Sequence, residues 1–208
     1  IDDQEVFKWW RDHVRVIWSV DPAATRPNAV LAAWLVDNKE LWLVGELMAD
    51  CDVDQLCLRM QVLSATVGKP EYVVVDWAAK EPERTSGGKS FYSMLAQRLA
   101  GWTRLRLSRK KNEQADITRI REMLRPQANG LPKIRVAQNL KRVRYELTHY
   151  GHKDNGDLED EDNDMMDNLR YIISSMPGAE EAQVYEPDWM LAAREQESRR
   201  EWLKRERA

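Results

Sequence analysis

Residues 72 to 77, YVVVDW, restrict this chain more than any other segment: four apolar residues in a row, three of them valine, closed by an acid. A strand with one solvated face alternates apolar and polar residues, whereas an unbroken β-branched run suits a strand covered on both faces, as inside a parallel sheet. Such a strand needs neighbours on either side and helices above and below it. It also delivers Asp76 to its carboxyl end.

The flanking segments read consistently with that requirement. VRVIWSV, 14 to 20, is β-branched and aromatic and stops at Asp21-Pro22, because proline cannot continue a strand interior. The run 29 to 48 is two apolar segments around Asp37-Asn38-Lys39, a loop suited to an antiparallel hairpin. Beyond these three strands, a helix is predicted over 52 to 66, ended by Gly68-Lys69-Pro70, and another over 91 to 102 after the loop EPERTSGGKS. TRLRLS, 103 to 108, alternates as a strand; 113 to 124 reads as a helix, 134 to 136 as a short strand. A helix over 138 to 150 places Leu140, Val143, Leu147 and Tyr150 on one face. Further helices are predicted over 164 to 176 and, highly charged, over 187 to 207.

The predicted class is therefore α/β: a mixed sheet, three antiparallel strands followed by parallel ones, with helices on both faces. Residues 1–176 form the domain and 177–208 a charged helical tail. With 208 residues and 43% apolar positions the chain can build one substantial core. No apolar run approaches the ~20 residues of a membrane span, and two cysteines, Cys51 and Cys57, do not make a disulfide scaffold. The chain starts at Ile1 with neither a basic nor an apolar leader, and reads as a piece of a longer polypeptide.

The net charge of -3 conceals a segregation. Between Arg98 and Arg144 there are fourteen basic residues against three acids; between Asp154 and Asp167 there are eight acids and no base. A basic block on that scale can hold phosphates, although a solvated helical surface is the plain alternative for any single residue. In the acidic block, Asp164 and Asp167 are three apart at a helix start and are expected on one face, opposite Met166, Leu169 and Ile173.

Acids at strand ends and at a helix start supply the hard oxygen ligands that Mg²⁺ or Mn²⁺ takes. Asp21 and Asp76 end two predicted strands; if those strands are neighbours, Asp164 and Asp167 need only a helix N-terminus close by to complete a cluster. Two carboxylates ~4 Å apart repel by roughly 4 kcal/mol at an effective dielectric near 20, so such a cluster requires cations. Singly, each acid also reads as an ordinary turn or capping residue.

Other signals fail on spacing. Gly87-Gly88-Lys89-Ser90 lacks the earlier glycine of a phosphate loop, since Glu83 stands there. Asp50, Asp52 and Asp54 begin like a calcium loop, but Gln55 occupies the glycine position and Gln61 that of the bidentate acid. His13, His149 and His152 form no zinc pattern with the cysteines, and no Gly-x-Ser-x-Gly motif occurs. Trp18, Trp34, Trp42 and Trp77 lie in or beside strand runs and are expected in the core rather than as base-stacking platforms.

Taken in order, WSVDPAAT (18 to 25), YVVVDW (72 to 77) and DNDMMDNLRY (162 to 171) resemble the nuclease domain of the large terminase subunit of tailed bacteriophages. That family has a ribonuclease H-like fold with one acid in a D-P motif on the first strand, a second on the fourth strand and a third in a D-x-x-D-A-x-R-Y-like helix start. Asn168 replaces the usual small residue. The resemblance implies that Asp21, Asp76 and Asp167 are catalytic metal ligands with Asp164 as an auxiliary one, Asp21 bridging two Mg²⁺ or Mn²⁺ ions. It implies cleavage of concatemeric viral double-stranded DNA by two-metal phosphodiester hydrolysis. Arg104, Arg106, Arg109, Lys110, Lys111, Lys141, Arg142 and Arg144 would hold DNA phosphates without reading sequence. The implied partners are the portal protein, the small terminase subunit and an upstream ATPase domain, at the procapsid portal vertex in the host cytoplasm, with no membrane. A Holliday-junction resolvase, a transposase-like enzyme of the same fold, and a non-catalytic interaction domain are the alternatives.

Overall fold

The computed structural model describes residues 10, 12–23, 27–82, 88–109, 113–149 and 163–176. The tail 177–208, with its predicted helix, the acidic segment 151–162 and the candidate phosphate ligands Lys110 and Lys111 lie outside the described residues.

The first three strands form an antiparallel meander: β1 (Val14–Asp21), β2 (Asn28–Val36) and β3 (Glu40–Ala49). The β2–β3 turn places Asp37 and Asn38 at positive φ, 50° and 56°, with Lys39 N–H donating to Val36 C=O at 2.9 Å. That is the left-handed pair a type I′ turn demands, here within the three-residue loop 37–39 between the partners Val36 and Glu40, and Asp and Asn tolerate it better than other non-glycine residues. Helix α1 (Val53–Val67) follows, capped by Asp52, whose carboxylate accepts the Gln55 N–H at 2.8 Å. Gly68 ends it at φ 93°, a conformation a Cβ would oppose.

Strand β4 (Tyr72–Val75) then inserts beside β1 and parallel to it, every residue buried. Past a 3₁₀ turn (Trp77–Lys80) come α2 (Phe91–Leu99), β5 (Arg104–Leu107), α3 (Glu113–Leu124), β6 (Ile134–Val136), α4 (Lys141–His149) and α5 (Asp164–Ser175). The sheet order is β5-β4-β1-β2-β3-β6, with β5 parallel to β4 and β6 parallel to β3. This is the expected mixed sheet, with β1 lying between its parallel partner β4 and its antiparallel partner β2.

The sheet separates two cores by the two-residue alternation of its strands. Val16, Trp18 and Val20 of β1 face one core with Leu56 and Met60 of α1 and Leu95 and Leu99 of α2. Ile17 faces the other, shared by Ile120 and Met123 of α3, Val143 of α4, and Leu169, Ile172 and Ile173 of α5. Helices thus cover both faces. The guanidinium of Arg15 forks onto Glu71 at 2.8 and 2.9 Å, tying β1 to the start of β4.

Two local expectations need correction. Helix α4 begins at Lys141 rather than 138, because Glu46 of β3 accepts the N–H groups of Arg142 and Val143 at 3.1 and 2.9 Å and so fixes the first turn there. Trp18 is fully buried, but Trp34, Trp42 and Trp77 are only half-buried; the Trp34 indole donates to Val67 C=O at 2.8 Å and the Lys80 ammonium lies 3.5 Å from the Trp77 ring centroid. Asp164 and Asp167, three apart on α5, differ in exposure: Asp164 is buried, 6% exposed, and Asp167 is half-buried. Among the described residues, no helix is long and apolar enough to cross a membrane.

Candidate active site

The register of β1 and β4 decides the geometry of the acids. Val20 pairs with Val75, so Asp21 and Asp76, the next residue after each, emerge side by side at the carboxyl edge of the sheet. The Asp76 N–H still donates to Val20 C=O at 3.3 Å. Across the face of β1 lies α5, fastened by Ser19 Oγ donating to the Asn168 C=O at 3.0 Å and Asn168 Nδ2 donating to Ala29 C=O at 3.2 Å. Tyr72, which pairs with Ile17 two strand positions before Ser19, reaches Ser175 C=O with its hydroxyl at 3.5 Å. Helix α5 therefore runs antiparallel to β1 and brings its first turns, with Asp167 and Tyr171, to the edge where Asp21 and Asp76 emerge.

Each of these carboxylates is held by the chain itself. Tyr171 Oη donates to Asp21 Oδ1 at 3.2 Å. Asp76 accepts the Ala78 N–H at 3.2 Å and the Ser108 hydroxyl at 3.5 Å, while Ser108 Oγ accepts the Trp77 N–H at 2.9 Å. Asp167 is paired with Arg170, one turn on. Asp164 Oδ2 lies 3.7 Å from the Arg142 guanidinium.

The electrostatics of this edge are unbalanced. Burial, followed by the charges of Asp167 and then Asp76, pushes the Asp21 carboxyl up from 3.8 to about 8, against the opposing effect of the Tyr171 hydrogen bond; Asp164 adds least. Burial and then the charges of Asp21, Asp76 and Asp167 raise the Tyr171 phenol far above its ordinary range, so that it remains a donor. Among the described residues, no three His, Cys, Asp or Glu side chains are already drawn together as a metal cage. The donor set nevertheless suits a hard divalent cation: carboxylate oxygens alone, no thiol or imidazole, and negative charge in excess at Asp21.

The basic residues divide by position. Arg104 pairs with Tyr72 at the far end of β4, and Arg106 lies 3.9 Å from the Tyr72 ring centroid, so neither stands at the acid edge. Arg109 follows Ser108, whose N–H donates to Val75 C=O at 2.7 Å, and so lies at that edge. Lys141 and Arg144 are exposed on α4, and Arg142 lies between α4 and the start of α5. Tyr171, Arg170, Ser108 and Glu146 of this neighbourhood carry no role in the sequence reading; Arg170 and Tyr171 stand in the DNDMMDNLRY motif, and their i+3 and i+4 spacing from Asp167 is the signal that could have found them.

No protein-family model matches the chain, and no curated protein does. Solved structures do. The nuclease domain of the P22 large terminase is similar with a TM-score of 0.60 and 17% identity, over 79% of this chain and 81% of that one. A full large terminase from a thermophilic bacteriophage is similar with a TM-score of 0.60 and 15% identity over 78% of this chain, which spans only 40% of that protein. The large terminase nuclease of the thermophilic phage G20c gives 0.50 and 16%, over 78% and 83%. At such identities the likeness is one of fold: the six-stranded mixed sheet is ribonuclease H-like, and its structural neighbours are phage large terminase nuclease domains.

Proposed function

We propose that this chain is the nuclease domain of a DNA-packaging large terminase, an endonuclease that hydrolyses phosphodiester bonds of double-stranded DNA with Mg²⁺ or Mn²⁺. The observation that carries the reading is that Asp21, Asp76 and Asp167 lie toward one sheet edge, where burial first, and then the charges of Asp167 and Asp76, lift the Asp21 carboxyl to about 8. Without a cation this arrangement is unfavourable, and a fold that retains it is built to bind one.

In this reading Asp21, Asp76 and Asp167 would hold the cations, with Asp164 as an auxiliary acid. The cations would supply an activated water and stabilise the leaving oxygen. Tyr171 orients Asp21 through Oδ1, Ser108 orients Asp76, and Arg170 pairs with Asp167. Arg109, Lys141 and Arg144 would grip backbone phosphates, which fixes the duplex without reading its sequence, whereas the Arg142 guanidinium is engaged with Glu146 and Asp164. The portal protein, the small terminase subunit and an ATPase domain would be its partners at the procapsid portal vertex in the host cytoplasm.

The test is conversion of supercoiled plasmid to nicked and linear forms with Mg²⁺, Mn²⁺ or EDTA, comparing the parent with Asp21→Ala, Asp76→Ala and Asp167→Ala. Cutting that needs metal and is lost in all three variants is the expected result. DNA binding without cutting under any metal would count against the catalytic reading and favour an interaction domain.

A further inference from the structure

Helix α5 carries Asp167 and Tyr171, yet its own sequence starts it poorly. The first N–H groups of a helix have no partner within it and need acceptors, ordinarily a side chain at the N-cap. Asn163 occupies that position with φ -116° and ψ 9°, away from the extended backbone of a capping residue, and its side chain makes no capping bond.

The acceptor comes instead from α4. Glu146 Oε2 accepts the N–H groups of Met165 and Met166 at 2.8 and 3.0 Å, and its Oε1 accepts from Arg142 Nε at 2.6 Å. The residue is 1% exposed. A buried carboxylate is costly unless its oxygens are satisfied, and here both are, one by the start of α5 and one by an arginine that also approaches Asp164. Its negative charge also faces the positive end of the α5 dipole. Helix α4 is itself fixed by Glu46 of β3 through the Arg142 and Val143 N–H groups, so an unbroken series of contacts runs from the sheet through two helix starts to the third acid.

We propose that Glu146 is a positioning residue: from α4 it sets where α5 begins, and thereby holds Asp167 and Tyr171 opposite Asp21 and Asp76. Its bearing on metal binding rests on the nuclease reading above; its control of the first turn of α5 does not.

Amide hydrogen exchange, read by NMR, and Mn²⁺ titration separate the two. In Glu146→Ala the Met165, Met166 and Asp167 amides should exchange about tenfold faster or more, while those of Val20 and Val75 in the central strands keep their protection. Glu146→Gln retains a carbonyl oxygen for the two N–H groups, so it should fall between parent and alanine variant, and it serves if Glu146→Ala does not fold. Mn²⁺ affinity, read by calorimetry, should fall in the same order. Unchanged exchange at Met165 and Met166 in both variants, or an equal loss of protection throughout the sheet, would overturn the proposal. Faster local exchange in a protein whose parent binds no Mn²⁺ would uphold the control of α5 and sink the metal reading instead.

Discussion

The phenol of Tyr171 donates to Asp21 Oδ1 at 3.2 Å across the gap between α5 and the end of β1, 150 residues apart in the chain. It favours the charged form of the most perturbed carboxylate of the site, and is itself kept protonated by the acids around it. Tyr171→Phe removes this donor and leaves burial and like charge unopposed. The pH at which Mn²⁺ binding is half-complete should move upward, and the chain should lose about 1.5–3 kcal/mol of stability above that midpoint, the usual range for a hydrogen bond to a charged group. A melting series with and without Mn²⁺ across pH reads both; an unmoved midpoint would show that Tyr171 does not govern Asp21.

Asp21 also sets a pH dependence in the metal-free chain. Its folded value, about 8, lies above the ordinary 3.8, so the folded state binds the extra proton between them. The stability it contributes is fully present below about pH 4 and is lost as pH rises through about 8. Asp21→Asn, which still offers Tyr171 an oxygen, should flatten this slope and be more stable than the parent at about pH 9 in EDTA, by roughly a few kcal/mol at ~1.4 kcal/mol per unit of displacement. Urea melts at about pH 5 and about pH 9 decide the matter, since equal differences at the two values would exclude titration of Asp21.

Gly45 shows how tightly α1 sits on the sheet. A Cβ there would lie 3.2 Å from the Ala32 Cβ, its cross-strand partner, and 3.2 Å from Val67 Cγ1 at the end of α1. The strand partner cannot move without its backbone, so Gly45→Ala should destabilise by about 1–3 kcal/mol, the usual cost of overpacking. Denaturant unfolding measures it, and a gain in stability would mean that α1 moves aside freely.

Lys141 and Arg144 are exposed on α4, next to the helix that bears Asp167. If they contact phosphates, removing both should lower the slope of log binding constant against log salt by about 1.8, at ~0.9 per contact on duplex DNA. Arg104→Ala, at the opposite end of β4, should leave the slope unchanged. Fluorescence anisotropy with a duplex at several salt concentrations distinguishes the two positions.

The amino-acid sequence determined the elements and their order. YVVVDW reads as a covered strand, Asp21-Pro22 as the end of one, and Asp37-Asn38-Lys39 as a hairpin loop, because these depend on local conformational preference and on a period of burial that is written residue by residue. The sequence also marked which acids could matter. Tertiary structure decided how they meet: the pairing of Val20 with Val75 that sets Asp21 beside Asp76, the antiparallel lie of α5 that brings Asp167 and Tyr171 over them, and the turning of Asp164 toward Arg142. It also placed Arg109 at the acid edge and Arg104 away from it, though both lie in the same basic block. The cap that starts α5 comes from Glu146, in a different helix, and no local pattern could show it. Register and long-range hydrogen bonds depend on the packing of residues distant in the chain, whereas spacing along the chain records only near neighbours.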